Sequence, residues 1–229
     1  MSTDENLRSS ALQALGASGT AWPLGTVWVD LVEGRSKAVD WFCAEKQCVL
    51  ILRVTLEPEP AEFRNAWRNL EILRRVLHGH AQKAIAIEFG ISPSTVTTAA
   101  TQCAAAMGFD CSARRIPIVL MMAAHEEARR GARTLARTTT FEHEGATYRV
   151  LGTGRPDASL LSSLSQAERD IVELLVERRS NSEIGRIRST STRTVANQLS
   201  SVLRKLEVPG RIGVLSKLVE AYASCTIVA

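Results

Sequence analysis

The sequence predicts an α+β fold, mainly α, in which two tandem modules each place strands before helices. Three observations predict it: strand-forming stretches precede each of two helical regions, the chain superposes on itself at an offset of 99 positions, and the last third carries short helices joined by a capped turn. With 229 residues, 45% of them hydrophobic and 23% charged, the chain can bury one large core or two modest ones. Disordered and fibrous classes are thereby excluded. The formal net charge of +4 permits a polyanionic partner without requiring one, so the placement of the charge has to decide.

Residues 26–54, TVWVDLVEGRSKAVDWFCAEKQCVLILRV, combine β-branched and aromatic residues with a Glu33-Gly34 turn, which predicts a three-stranded meander. Residues 56–62, LEPEPAE, read as a linker, because each proline blocks helix continuation and pushes its predecessor to extended geometry. Helical sequence runs from about Glu62 to Ala136. Residues 138–156, TTTFEHEGATYRVLGTGRP, place strand formers on both sides of a second Glu-Gly pair and predict a hairpin. Helices return from about Gln166 to Tyr222. Domain limits of 1–136 and 137–229 follow from this order.

The offset of 99 brings Ile85 onto Ile184, Ser92 onto Ser191, Thr95 onto Thr194, Val96 onto Val195 and Met107 onto Leu206. A three-residue gap then brings Arg115-Ile116 onto Arg211-Ile212.

In the second copy, a helix beginning near Thr192 gathers Val195, Leu199, Val202, Leu203 and Leu206 on one apolar stripe at 100° per residue. Arg193, Asn197, Ser200 and Arg204 fall in a narrow sector opposite. A helix laid in a DNA major groove needs this order of groups: cations at the ends for phosphates, and short hydrogen-bonding groups between them for base edges. Upstream, Ile184 and Ile187 give a short helix one apolar edge, and Thr190-Ser191 interrupts it where a capping hydroxyl would start the next. Two short helices joined this way form a helix-turn-helix.

At these residues the chain resembles a known family. Residues 164–215, LSQAERDIVELLVERRSNSEIGRIRSTSTRTVANQLSSVLRKLEVPGRIGVL, are similar to the four-helix DNA-binding domain of LuxR/FixJ-type transcriptional regulators. The matching positions are Leu164, Glu168, Arg169, Leu174-Leu175, Ser180-Asn181, Glu183-Ile184, Ser191, Thr194-Val195, Lys205-Leu206, Val208 and Arg211. The resemblance implies DNA contacts from Thr192, Arg193, Thr194, Ala196, Asn197, Gln198, Ser200, Arg204 and Lys205. Arg193 and Thr194 would touch phosphates near the helix start, Ala196, Asn197 and Ser200 would face bases, and Arg204 with Lys205 would grip the backbone. It also implies a fourth helix that serves as a dimer surface; because only the second copy carries a competent reading face, a homodimer on double-stranded DNA is expected, with a pseudo-dimer of the two copies within one chain as the alternative. Arg188 stands where the family usually has an apolar residue, Gln198 where it often has histidine and Ala196 where it often has lysine.

The first copy keeps the fold-forming residues Ile85-Ala86, Phe89, Ile91-Ser92, Thr95-Val96 and Met107, and loses the cations. Ser94, Thr98, Thr101 and Ala105 match Arg193, Asn197, Ser200 and Arg204 one for one. Phosphate neutralisation supplies most nonspecific affinity, so this face is expected to bind DNA weakly, with Ser94, Thr95, Thr97, Thr98 and Thr101 as an auxiliary set. Its own fourth helix, rich in apolar residues around Met121 and Met122, is available to copy two or to another chain, or is ordinary core.

Other classes find little support. His78, His80, His125 and His143 form no metal or nucleophile pattern, no phosphate-binding glycine loop is present, and neither catalysis, a cofactor nor a metal is expected; His78 and His80 read as surface residues. Cys43, Cys48, Cys103, Cys111 and Cys225 have irregular spacing and read as reduced thiols, mostly in cores, with a Cys43–Cys48 redox pair as the alternative. No apolar run reaches the roughly 18 residues of a membrane span, and a cytoplasmic protein is expected. Trp22, Trp28, Trp41 and Trp67 read as core packing before a ligand pocket. The competing function is an adaptor acting on RNA polymerase or on another regulator.

Overall fold

A computed structural model of the chain describes residues 3–44, 46–55, 67–109, 116–129 and 134–226. The elements in order are α1 (Thr3–Ala17), β1 (Thr20–Pro23), α2 (Leu24–Val32), β2 (Ser36–Ala44), β3 (Gln47–Val54), α3 (Trp67–Leu77), α4 (Gln82–Phe89), α5 (Pro93–Ala106), α6 (Ile118–Ala128), β4 (Leu135–His143), β5 (Ala146–Gly154), α7 (Gln166–Val176), α8 (Asn181–Ile187), α9 (Thr192–Lys205) and α10 (Arg211–Thr226), with a single 3₁₀ turn at Ala158–Leu160. The mixed class, mainly helical with antiparallel strands, matches the expectation. The linker at residues 56–62 lies outside the described residues, as do Arg115 and Cys111.

One local expectation is corrected. The three-stranded meander is a helix followed by a hairpin: Leu24, Val27, Trp28 and Leu31 are all buried, and their spacing is that of one helix face, so residues with strand propensity form α2. Glu33-Gly34 ends this helix, with the Glu33 amide donating to the Val29 carbonyl at 2.9 Å. The second Glu-Gly pair behaves as expected. Glu144 (φ 47°) and Gly145 (φ 75°) both take left-handed backbone, which suits a two-residue turn between twisted strands. α1, where the sequence predicts no element, buries Leu7, Ala11 and Leu15, which recur every fourth residue and form a thin stripe.

The strands expected as a separate meander and hairpin form one antiparallel sheet, in the order β1-β4-β5-β3-β2. Alternation along β3 and β5 serves both faces. Val49, Ile51 and Val150 pack under α1, while Leu50, Leu52 and Leu151 join the main core with the remaining helices. At the centre of the sheet Ile51 stands opposite Val150. α2 lies against α6, and their approach is close enough that a Cβ on Gly25 would sit 3.1 Å from the Glu127 backbone. Met121 and Met122 are buried, so they are core.

Bounds recur along the chain. β2 and β4 begin at residues 36 and 135, β3 and β5 at 47 and 146, α3 and α7 at 67 and 166, α4 and α8 at 82 and 181, α5 and α9 at 93 and 192. Each start is separated from its counterpart by 99 residues, the offset at which the sequence superposes on itself.

The reduced-thiol reading is corrected for one pair: Cys43 and Cys48 face each other across β2 and β3 and are disulfide-bonded. The pairing is the one named as the alternative, and the register of the hairpin, not sequence distance, sets which side chains meet. Cys103 is a free buried thiol whose burial pushes its pKa up to about 12, and Cys225 is free and exposed. Of the tryptophans, Trp28 is core, Trp22 lies under the Arg149 guanidinium at 3.7 Å, Trp41 under that of Arg178 at 4.9 Å, and Trp67 is exposed. No helix among the described residues is long and apolar enough to cross a membrane.

Candidate nucleic-acid interface

The C-terminal helices are positioned by their caps. Ser165 opens α7, and Glu168 returns to accept from the Ser165 amide at 2.8 Å. Ser180 and Glu183 repeat the device at α8: the Ser180 hydroxyl accepts from the Glu183 amide at 3.2 Å, and the Glu183 carboxylate accepts from the Ser180 amide at 2.7 Å. Arg211 ties the start of α10 to the start of α8 by donating to the Arg179 carbonyl at 3.1 Å and to Asn181 Oδ1 at 2.6 Å.

The turn between α8 and α9 is tight. The Thr190 amide donates to the Gly185 carbonyl at 2.8 Å, and a Cβ on Gly185 would stand 2.8 Å from the Thr190 carbonyl oxygen, so no larger residue fits without moving the turn. Ser191 then caps α9 by accepting from the Thr194 amide at 3.0 Å.

On α9, Val195, Leu199 and Val202 are buried, as the apolar stripe requires. Thr192, Arg193, Thr194, Asn197, Ser200, Arg204 and Lys205 are exposed, and Ala196 and Gln198 half-buried. Among the described residues Arg193 and Arg204 carry no ion pair and Asn197 no hydrogen bond, so two guanidiniums and one amide are available to a partner. Ser200 donates to the Ala196 carbonyl at 2.9 Å and keeps its acceptor lone pairs.

Two expected contacts are already committed inside the domain. Gln198 Oε1 accepts from Arg188 at 2.8 Å, and Arg188 also lies 3.7 Å from Asp170, so the residue at the position where the resemblance expected an apolar side chain bridges α8, α9 and α7 through polar groups. Lys205 donates to Glu168 Oε2 at 2.7 Å, and the Ser201 hydroxyl donates to Glu168 Oε1 at 2.8 Å. Lys205 and the backbone and hydroxyl donors together hold the Glu168 carboxyl down at about 2, against the opposing effect of burial. In the sequence Glu168 stands only as one of the positions that carry the resemblance. Reading its spacing from Ser165 reveals the cap, but the link to Lys205 spans 37 positions and depends on the packed structure. Arg186, exposed on the neighbouring α8, is a further cation that the sequence reading had not counted.

Replacing Glu168 with glutamine is expected to destabilise the chain at neutral pH by about 1–3 kcal/mol, as charge-assisted bonds to Lys205 and the Ser165 amide are weakened. Because the folded carboxyl titrates near 2 and an unfolded one near 4.5, this contribution is present above pH 4.5 and lost as pH falls toward 2. Urea titrations across that window check it: wild-type stability should fall more steeply than that of Glu168→Gln.

α5 repeats the geometry of α9 without its charge. Ser92 caps it by accepting from the Thr95 amide at 3.1 Å, and Val96, Ala99, Ala100, Cys103 and Ala104 are buried. Ser94, Thr95, Thr98 and Ala105 are exposed and Thr101 half-buried. Thr97 is half-buried and accepts from the Gln82 amide at 3.0 Å.

The helices that follow, α6 and α10, pack on each other, and Val214, Leu215, Leu218 and Val219 of α10 are buried. The apolar side of the last helix is therefore occupied within the chain, by the first of the two partners that the sequence left open for α6. A buried polar cluster sits in this contact: His125 Nε2 lies 3.1 Å from the Leu77 carbonyl and 3.2 Å from the Ser216 hydroxyl, with the His78 ring stacked on it at 4.2 Å. His78, expected at the surface, is half-buried because of this stacking, and His80 is exposed.

Residues 162–217 match the family model described as GerE, bacterial regulatory proteins of the luxR family, over about a quarter of the chain. No curated protein and no solved structure matches the chain. The matched residues hold the capped α7, the α8–α9 turn and the exposed face of α9, so this C-terminal helix-turn-helix segment is similar to the bacterial regulatory proteins of the luxR family.

Proposed function

We propose that the chain is a sequence-specific DNA-binding transcriptional regulator that lays α9 in the major groove. The observation that carries this reading is the face of α9 opposite its buried stripe, where unpaired Arg193 and Arg204 flank Asn197 and Ser200. Arg193 and Thr194 take phosphates near the helix start, Ala196, Asn197 and Ser200 meet base edges, and Arg204 takes a phosphate beyond them. Lys205 and Gln198 act through Glu168 and Arg188, holding the helix in place. The segment from β2 to α6 is read as a degenerate copy of the segment from β4 to α10. Common starts at an offset of 99 and the matched Ser92 and Ser191 caps support that reading. The modules 1–136 and 137–229 then share one sheet.

Selection of bound sites from random duplexes tests the function. A true reader enriches one sequence, and its affinity falls steeply with salt; weak binding at every salt concentration would point to an adaptor instead. Asn197→Ala should alter the ranking of selected sites more than the overall affinity, since a bidentate amide–adenine contact contributes roughly 1–3 kcal/mol of discrimination. Identical rankings would remove Asn197 from the reading set.

A further inference from the structure

We infer that the outer face of α5 is a second duplex-facing surface, so that one chain contacts two neighbouring half-sites and reads them unequally; this rests on the proposed reading by α9. The placement comes from the sheet. Ile51 pairs with Val150, the residue 99 positions later, so the central strand pair β3–β5 carries each residue onto its counterpart by a half-turn about an axis between these two. In an antiparallel pair such an axis stands perpendicular to the sheet. On the helical side of the sheet, the last helices of the two segments, α6 and α10, pack on each other.

Extended to the helices, whose starts recur at the same offset of 99 through α5 and α9, this half-turn sets α5 and α9 in the relation that two reading helices hold in a two-fold dimer, and that relation suits a duplex running across both. Within its module α5 packs against α3 and α4, leaving Ser94, Thr98 and Ala105 exposed. Its hydroxyls and methyls can meet base edges and thymine methyls, but Ser94 and Ala105 stand where α9 has Arg193 and Arg204, so this half of the contact gains nothing from phosphate charge. The preferred site is accordingly asymmetric, with one firm and one weak half. Burial of the α10 apolar side against α6 fits a single chain doing the work of two.

The test restores the missing charge. Full-length Ser94→Arg/Ala105→Arg is compared with the wild type and with Ser9→Arg/Gln13→Arg, which adds the same charge at exposed positions of α1 on the other side of the sheet. The probe is the duplex selected by the wild-type chain, and thermal melts confirm that all three fold. The α5 variant should steepen the dependence of log affinity on log salt by about 1.8, about 0.9 for each phosphate gained, and bind roughly 10-fold tighter or more at moderate salt. Its footprint should become firm on the weak flank, at one chain per duplex by mass. A slope and footprint equal to those of the α1 variant would overturn the inference, as would two chains per duplex. A wild type without salt-dependent DNA affinity would instead remove the proposed function; one that binds while the α5 variant gains nothing removes only this inference.

Discussion

Replacing Arg193 and Arg204 together with alanine should weaken binding to every duplex by roughly 10- to 100-fold near 0.1 M salt and reduce the salt slope by about 1.8. Both guanidiniums are exposed and without ion pairs among the described residues, so nothing inside the domain compensates their loss and nothing inside it depends on them. The fold should therefore keep its melting temperature within about 2–4 °C, as expected for surface substitutions. The ranking of sites should hold, because phosphate contacts carry no sequence information. Lys205→Ala provides the contrast: it removes a partner of Glu168 and should lower stability as well as affinity. A folded double-arginine variant with unchanged affinity and slope would show that α9 does not face DNA.

The parts of this molecule that were legible in the sequence are those governed by local rules. α9 was readable because an apolar stripe at helical period, a capping serine and a sector of polar groups all lie within 14 residues. The Glu144-Gly145 turn was readable because only a short list of residues tolerates left-handed backbone at both positions. α2 was misread because Val27, Trp28 and Val29 favour strands by type while their burial follows a helix, and packing outweighed propensity. The single sheet and the Glu168–Lys205 pair were beyond reach, and the Cys43–Cys48 bridge was open only as an alternative, since each depends on which segments meet after folding. The same is true of the candidate site. The exposed groups could be named in advance, but not that Gln198 and Lys205 would already be engaged.

Acidification from pH 6.5 to 4 should cost the wild-type chain up to about 3 kcal/mol of stability through His125 alone, a change of roughly a hundredfold in the folding equilibrium. The ring is buried where α3, α6 and α10 meet, and burial lowers its pKa from 6.5 to about 4, helped by the neighbouring His78 and opposed by the Leu77 carbonyl and Glu220. Across that window an unfolded chain takes up a proton that the folded chain refuses, so stability is held above pH 6.5 and lost as pH falls toward 4. Neutral His125 can donate from Nε2 to the Leu77 carbonyl, 3.1 Å away, and accept His78 stacked on its face, where His78 Nδ1 lies 2.8 Å from the Arg74 carbonyl. A charged ring would place a buried cation against His78, with only the Leu77 carbonyl and the Ser216 hydroxyl beside its Nε2 among the described residues. His125→Gln supplies the control. It should be less stable than the wild type at pH 7, having lost the stacked ring, and should show a shallower decline between pH 6.5 and 4. The Glu168 contribution falls in the lower window from 4.5 to 2 and is separable by range. Urea midpoints of the two proteins that decline in parallel from pH 6.5 to 4 would assign the acid response to other groups and remove His125 as its origin.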